Sequence, residues 1–317
     1  MISCALVLAA LCLLGQVPAA WGATQRTGAS RRLDEGQPVD AHAFEPGACV
    51  EYPPTTGDRH LTVFLDAGHG GIDPGGVGED EAGDPVDEAD ETLPVELDTM
   101  ALLRTKGFTV VVSRTGDETV SRPQSDDVSG GLFTVQGVHD DVAARDRCAD
   151  LSRANVLVGI YFDAGASSLN AGSVTGYDSA RPFSAQNLKL ANLVQNDVLS
   201  AMNAQGWSIP SLGVIDDSEL GGPALSAAAG DYGHLLLLGP ADLGWFTTPS
   251  TMPGALIEPL FITDPFEASI AESQSGQRVI SAGLAQAVEQ FFAPAPGGQN
   301  SEKDTPRHHR TRQKAAA

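Results

Sequence analysis

VFLDAGHGG, residues 63–71, carries an apolar strand into an acid-bearing turn and then into a histidine flanked by glycines. Val63 to Leu65 read as buried strand, and Gly68, Gly70 and Gly71 leave space around His69. A histidine at the end of a strand with little bulk beside it is suited to holding a metal at the open edge of a sheet. Taken alone, a His beside Gly is more often an ordinary turn residue, so the reading depends on the chain downstream of it.

From residue 61 onward the chain alternates. Strand signals lie at 61–66, 108–113, 156–162, 173–177, 235–238 and 255–258, with helix signals between them at 92–106, 141–153, 184–205 and 276–292. In the third helix Leu188, Ala191, Val194, Val198 and Met202 line one face, Ser184 is a candidate N-cap and Gly206 ends it. Strand–helix alternation predicts a single α/β domain over 59–292, a twisted and mostly parallel sheet of about six strands with helices on both faces. Residues 118–140 and 208–233 read as irregular loops, residues 23–58 as a linker, and residues 293–317 as a disordered basic tail.

The chain has 317 residues and a formal charge of −22. Five basic residues fall in the last 17 positions, and the rest holds 14 basic and 39 acidic residues, a balance of −25. Such a body repels nucleic acid and anionic lipid, so no nucleic-acid partner is expected. Residues 5–20 are almost wholly apolar, too short for a comfortable membrane span, and lead to a small-x-small cleavage sequence at Ala20-Trp21-Gly22. Residues 1–22 are therefore read as a secretory signal, although no Lys or Arg precedes the apolar run. Secretion to the cell envelope, with no stable membrane insertion after cleavage, is the expectation. The remaining cysteines, Cys49 and Cys148, either form one disulfide or stay as two buried thiols. No G-x-S-x-G elbow appears, which argues against a serine hydrolase.

Three stretches come after the His69 turn in order: an acid-rich run at 79–98 with ten carboxylates, Ser113-Arg114 with Asp117 close behind, and an apolar strand ending in Glu258-Pro259. Together with Asp66, Gly68, His69, Gly70, Gly71, Asp73 and Gly75, this pattern resembles the zinc-dependent N-acetylmuramoyl-L-alanine amidases of bacterial cell-wall turnover. The resemblance spans roughly residues 61–292. It implies a peptidoglycan hydrolase that cleaves the amide between N-acetylmuramic acid and L-alanine with metal-activated water, taking peptidoglycan or muropeptides as substrate. A monomer is expected.

The resemblance also implies roles. His69 and Glu88 would be zinc ligands, with Glu91 as the alternative to Glu88, and Glu258 would be the catalytic acid–base. Because Pro94 starts a helix well and sits badly inside one, Glu88 is expected on the lead-in to the helix. The family's third ligand is a His in an S-I-H-A-N or S-I-H-A-D sequence. Here residues 159–163 read Gly-Ile-Tyr-Phe-Asp, so Tyr161 occupies the His position. A phenol with pKa near 10 binds zinc poorly at neutral pH. His139 and His234, in the two long loops, are candidates to replace it; each reads first as an ordinary surface His. The rival reading is an amidase-fold binding or regulatory protein with weakened or lost turnover.

Overall fold

The computed structural model describes residues 36–220 and 231–294. The expected signal (1–22), the first part of the linker and nearly all of the tail lie outside the described residues. Eight strands form one sheet: β1 (Gln37–Pro38), β2 (Val50–Tyr52), β3 (Thr62–Ala67), β6 (Thr109–Val112), β9 (Val156–Ile160), β10 (Ser173–Tyr177), β11 (Ser211–Asp216) and β12 (Gly254–Glu258). Their spatial order is β1-β2-β6-β3-β9-β12-β10-β11. The centre is parallel: β6, β3, β9 and β12 run together, and β10 pairs antiparallel with β12. Two small hairpins, β4–β5 (Val77–Glu79, Pro85–Asp87) and β7–β8 (Val128–Ser129, Leu132–Phe133), stand apart from it.

Period-two alternation builds a core on each face. Val63, Leu65, Val110, Val112, Val156 and Val158 point one way, onto helices α1 (Glu88–Thr105), α3 (Ser184–Asn203) and α5 (Gln274–Phe291). Phe64, Val111 and Leu157 point the other way, onto α2 (Val135–Leu151) through Cys148 and Ala149, and onto Phe44, Leu237 and Leu238. Helix α4 (Pro265–Glu272) precedes α5, capped by the Asp264 side chain on Glu267 N–H.

Five of the six predicted strands form. Residues 235–238 are instead a buried turn whose leucines fill the second face. The apolar run met the burial requirement of a strand without pairing. Residues 208–233, expected to be irregular, contain β11, and residues 118–140 contain β7–β8 and the start of α2. The linker reading also needs correction. Residues 36–52 add β1 and β2 to the sheet edge, bury Phe44, and join the body through a Cys49–Cys148 disulfide.

Candidate active site

The parallel strands β3, β9 and β12 are neighbours, so their carboxyl ends open on one edge of the sheet. Open α/β sheets bind ligands at such edges. Strand β3 delivers Asp66 and then the turn bearing His69. β9 continues into Tyr161 and Asp163, and β12 ends at Glu258. His69 holds the left-handed conformation, φ 61°. That turn is fixed from below. Arg114 donates to the carbonyls of Ala67, Gly68 and Ala89, and Ser113 Oγ accepts from Ala67 N–H. Arg145, from α2, donates to the carbonyls of Ala67 and His69 and pairs with Asp66 at 2.8 Å and Asp141 at 2.9 Å.

Glu88 is the first residue of α1, not part of a lead-in, and Pro94 lies inside the helix. An interior proline costs about 3 kcal/mol. The early turns are nevertheless pinned to the rest of the fold: Glu88 N–H donates to Gly76 carbonyl, Ala89 N–H to Pro74 carbonyl, and Thr92 Oγ1 to Gly68 carbonyl. These attachments carry the helix back through position 88, where its N-terminus favours a carboxylate. The Glu88 side chain accepts from Gly76 N–H (2.9 Å) and Phe162 N–H (2.8 Å), and its Oε2 lies 3.1 Å from His69 Nε2. The other face of the imidazole is held by Asp73, Nδ1 to Oδ2 at 2.8 Å. Burial opposes a charged ring, but Glu88 and Asp73 outweigh it and push His69 up to about 10. Glu91 faces elsewhere, accepting from Gln277 Nε2 at 2.8 Å.

Glu258 shares a hydrogen bond with Asp163. Burial, then Asp163 and Glu88, hold Glu258 well above the usual carboxylate range, with His69 pulling the other way. His69, Glu88, Asp163 and Glu258 thus form one electrostatic cluster at the strand ends. Neither neighbouring arginine pairs with Glu258: Arg145 is committed to Asp66 and Asp141, and Arg114 to main-chain carbonyls.

The profile of the Amidase_3 family, N-acetylmuramoyl-L-alanine amidase, matches residues 63–290. The chain belongs to this family. Among solved structures, the fold is similar to the CwlD amidase of Clostridioides difficile, seen in complex with the GerS lipoprotein. That similarity has TM-score 0.54 and 20% identity, covering 73% of this chain and 98% of that one. An N-acetylmuramoyl-L-alanine amidase of Clostridium difficile 630 gives 0.50 and 24%, covering 73% and 96%. AmiC2 of Nostoc punctiforme gives 0.50 and 19%, covering 74% and 98%. At these identities the likenesses concern the fold. Among curated proteins, none matches the chain.

The family's zinc dependence can be set against the donors present in this member. Ligands about 2.0 Å from a tetrahedral zinc lie about 3.3 Å apart. His69 Nε2 and Glu88 Oε2, at 3.1 Å, fit two corners of such an ion. Tyr161 supplies no third. Its ring stands edge-on to His69, centroids 5.4 Å apart, and its hydroxyl donates to Asp66 Oδ2 at 3.0 Å. His139 does not approach the pair either. It lies on α2 and bonds the Trp245 carbonyl. His234 belongs to a different cluster with Asp178 and Asp217.

Sequence reading missed two supports. Asp73 was visible only as a motif match, and the Tyr161–Asp66–Arg145 chain joins residues too far apart in sequence to be paired by eye. Close approach explains two glycines. A Cβ on Gly68 would sit 2.4 Å from the Tyr161 ring, and one on Gly75, at φ +72°, 2.7 Å from both Glu88 Oε2 and His69 Cδ2. Gly75→Ala is expected to cost about 1–2 kcal/mol in backbone strain alone and to pry the His69–Glu88 pair apart. Isothermal titration with Zn2+ checks this. Unchanged affinity would show that the pair tolerates the displacement.

Proposed function

We propose that this chain is an exported peptidoglycan amidase, working at the His69–Glu88–Glu258 end of the sheet on the bond between N-acetylmuramic acid and L-alanine. The observation that carries the reading is the His69–Glu88 pair at ligand spacing beside the adjacent Asp163 and Glu258 carboxyls, within a chain of this family. His69 and Glu88 would hold zinc. When bound, zinc polarises the scissile carbonyl and lowers the pKa of water. Asp73 keeps His69 Nδ1 occupied, so that Nε2 faces the cluster.

Glu258 would take the proton of the attacking water and deliver a proton to the leaving amine nitrogen. Two adjacent carboxyls do not both ionise readily, so Asp163 favours the protonated form of Glu258 once the water proton has been taken. A shallow groove of about 330 Å³, lined by Val77, Gly78, Glu79, Ser168, Thr263 and Pro265, lies one step beyond Gly76 and offers room for part of the stem peptide. No helix of the described residues is long and apolar enough to cross a membrane. A monomer is the working assembly.

Glu258→Gln is expected to lower release of free stem peptides from purified cell wall at least about 100-fold while leaving Zn2+ binding in place. Measuring zinc stoichiometry and peptide release together tests the whole reading. Retained release in the variant would remove Glu258 from the chemistry. Wild-type protein that binds wall without releasing peptides would favour the binding-protein alternative, for which the engagement of the Tyr161 hydroxyl with Asp66 is the specific observation.

A further inference from the structure

The sheet has a second edge. Strand β10 runs antiparallel to β12, with Val174 opposite Glu258. Its carboxyl end therefore lies away from His69, and Asp178, just past it, is about 13 Å of strand beyond Val174. Parallel to β10, β11 ends at Asp216, followed by Asp217. The segment returning toward β12 brings His234 to the same place. Among the described residues, Asp178, Asp217 and His234 are the one trio of potential ligands whose donor atoms all lie within 4.8 Å of one another.

The trio is built as ligands are built. Each carboxylate commits one oxygen to main chain: Asp178 Oδ1 accepts from Ala180 N–H (2.7 Å) and Arg181 N–H (2.9 Å), and Asp217 Oδ2 from Leu235 N–H (3.0 Å). Each presents the other oxygen to His234 Nδ1, at 3.0 Å from Asp178 Oδ2 and 3.1 Å from Asp217 Oδ1. One ring nitrogen carries at most one proton, and that contact goes to Asp217. Asp178 Oδ2, on a residue 0% exposed, is left with no hydrogen-bond partner, aimed at the point where the other two donors converge. Burying an ionised oxygen without a partner is costly. The nearby Arg181 does not relieve it, since its guanidinium bonds the carbonyls of Leu238, Gly239 and Ser250.

We propose that Asp178, Asp217 and His234 form a second, structural site for a zinc-type divalent cation, on the edge of the sheet opposite His69. The donor spacings, 3.0 and 3.1 Å, approach the about 3.3 Å edge of a tetrahedral zinc site. Two carboxylate oxygens with an imidazole suit zinc and its transition-metal neighbours over calcium or magnesium, which take oxygen ligands in larger number. The ion would neutralise two buried charges and tie the ends of β10 and β11 to the segment that leads into β12. The site is independent of the proposed catalytic reading.

The test uses the full chain and Zn2+, with native mass spectrometry counting ions. One equivalent that persists in His69→Ala and disappears in both His234→Ala and Asp217→Asn is expected. At a hundredfold excess over Kd, Zn2+ should raise Tm by about 5–10 °C in His69→Ala and not in His234→Ala. If the variants do not fold, wild-type protein answers alone: Zn2+ should slow diethyl pyrocarbonate modification of His234, located by peptide mass spectrometry, at least tenfold. Stoichiometry unaffected by loss of His234, or modification of His234 unaffected by Zn2+, would mean an imidazolium shared by two carboxylates, and the proposal would be overturned.

Discussion

Tyr161→His is expected to tighten Zn2+ binding at the His69–Glu88 pair about a thousandfold and to raise muropeptide hydrolysis with it. A phenol must lose its proton before it can ligate, and the gap between pKa 10 and neutral pH is worth about 4 kcal/mol. In this fold the cost is greater. Burial, then Asp66, hold the Tyr161 hydroxyl well above its ordinary range against the pull of Arg145. Geometry adds to it, because the hydroxyl is engaged with Asp66 at 3.0 Å. An imidazole is shorter and offers a lone pair at pH 7. The change also has a stability cost, since Asp66 Oδ2 loses its donor in a fully buried position, about 1–3 kcal/mol. The variant is thus expected to be more active and less stable. Calorimetric Zn2+ affinity, stem-peptide release and Tm together read all three effects. If wild type already binds one zinc tightly at His69 and turns over, and Tyr161→His changes neither, another group completes the site and Tyr161 is not the limit.

Removing the Cys49–Cys148 disulfide is the largest expected loss of stability. The bond closes a loop with a sequence separation of 99. On the chain-entropy model such a loop contributes about 4–5 kcal/mol by restricting the unfolded chain. For a domain of this size that corresponds to a Tm lower by about 10–20 °C in Cys49→Ala/Cys148→Ala, measured against the oxidised wild type. Both cysteines are fully buried against Phe64, Val111 and Leu157, so the paired replacement also leaves a small cavity. Labelling of Cys49 and Cys148 by a thiol reagent in the denatured, unreduced wild-type protein, located by peptide mass spectrometry, would show that the bond does not form.

The strands that could be read from sequence were those with a strong reason to be buried. Val110–Val112 and Val156–Val158 carry unbroken apolar side chains because both faces of a central parallel strand are covered. β11 escaped because Gly213 interrupts it and its residues are only partly buried. β1 and β2, two and three residues long, fall below any periodicity. In the site, the family resemblance pointed to His69 and Glu88, and the structure sets the two side chains in contact, their zinc-binding role being the proposal above. Pro94 misled, because a rule about isolated helices was outweighed by tertiary anchoring of the first turns. The Asp163–Glu258 pair and the tether from Tyr161 to Asp66 join residues 95 apart in each case, and no local pattern announces a pairing at that range.

The short antiparallel ribbon of β1 and β2 has a meaning for self-association. Without it, β6 would be the outermost strand, and Thr109–Val112 would offer a row of free amides and carbonyls on one of the most apolar segments of the chain. Such a strand is a template for pairing between molecules. β2 covers that row, and β1 ends at Pro38, whose ring nitrogen has no hydrogen to donate to a newcomer. The covering ribbon is sealed at Cys49, so the cysteine that closes the long loop also keeps the guard strand in place. Reduction would loosen the cover before it unfolds the body, and the reduced chain would be lost to strand-to-strand aggregation.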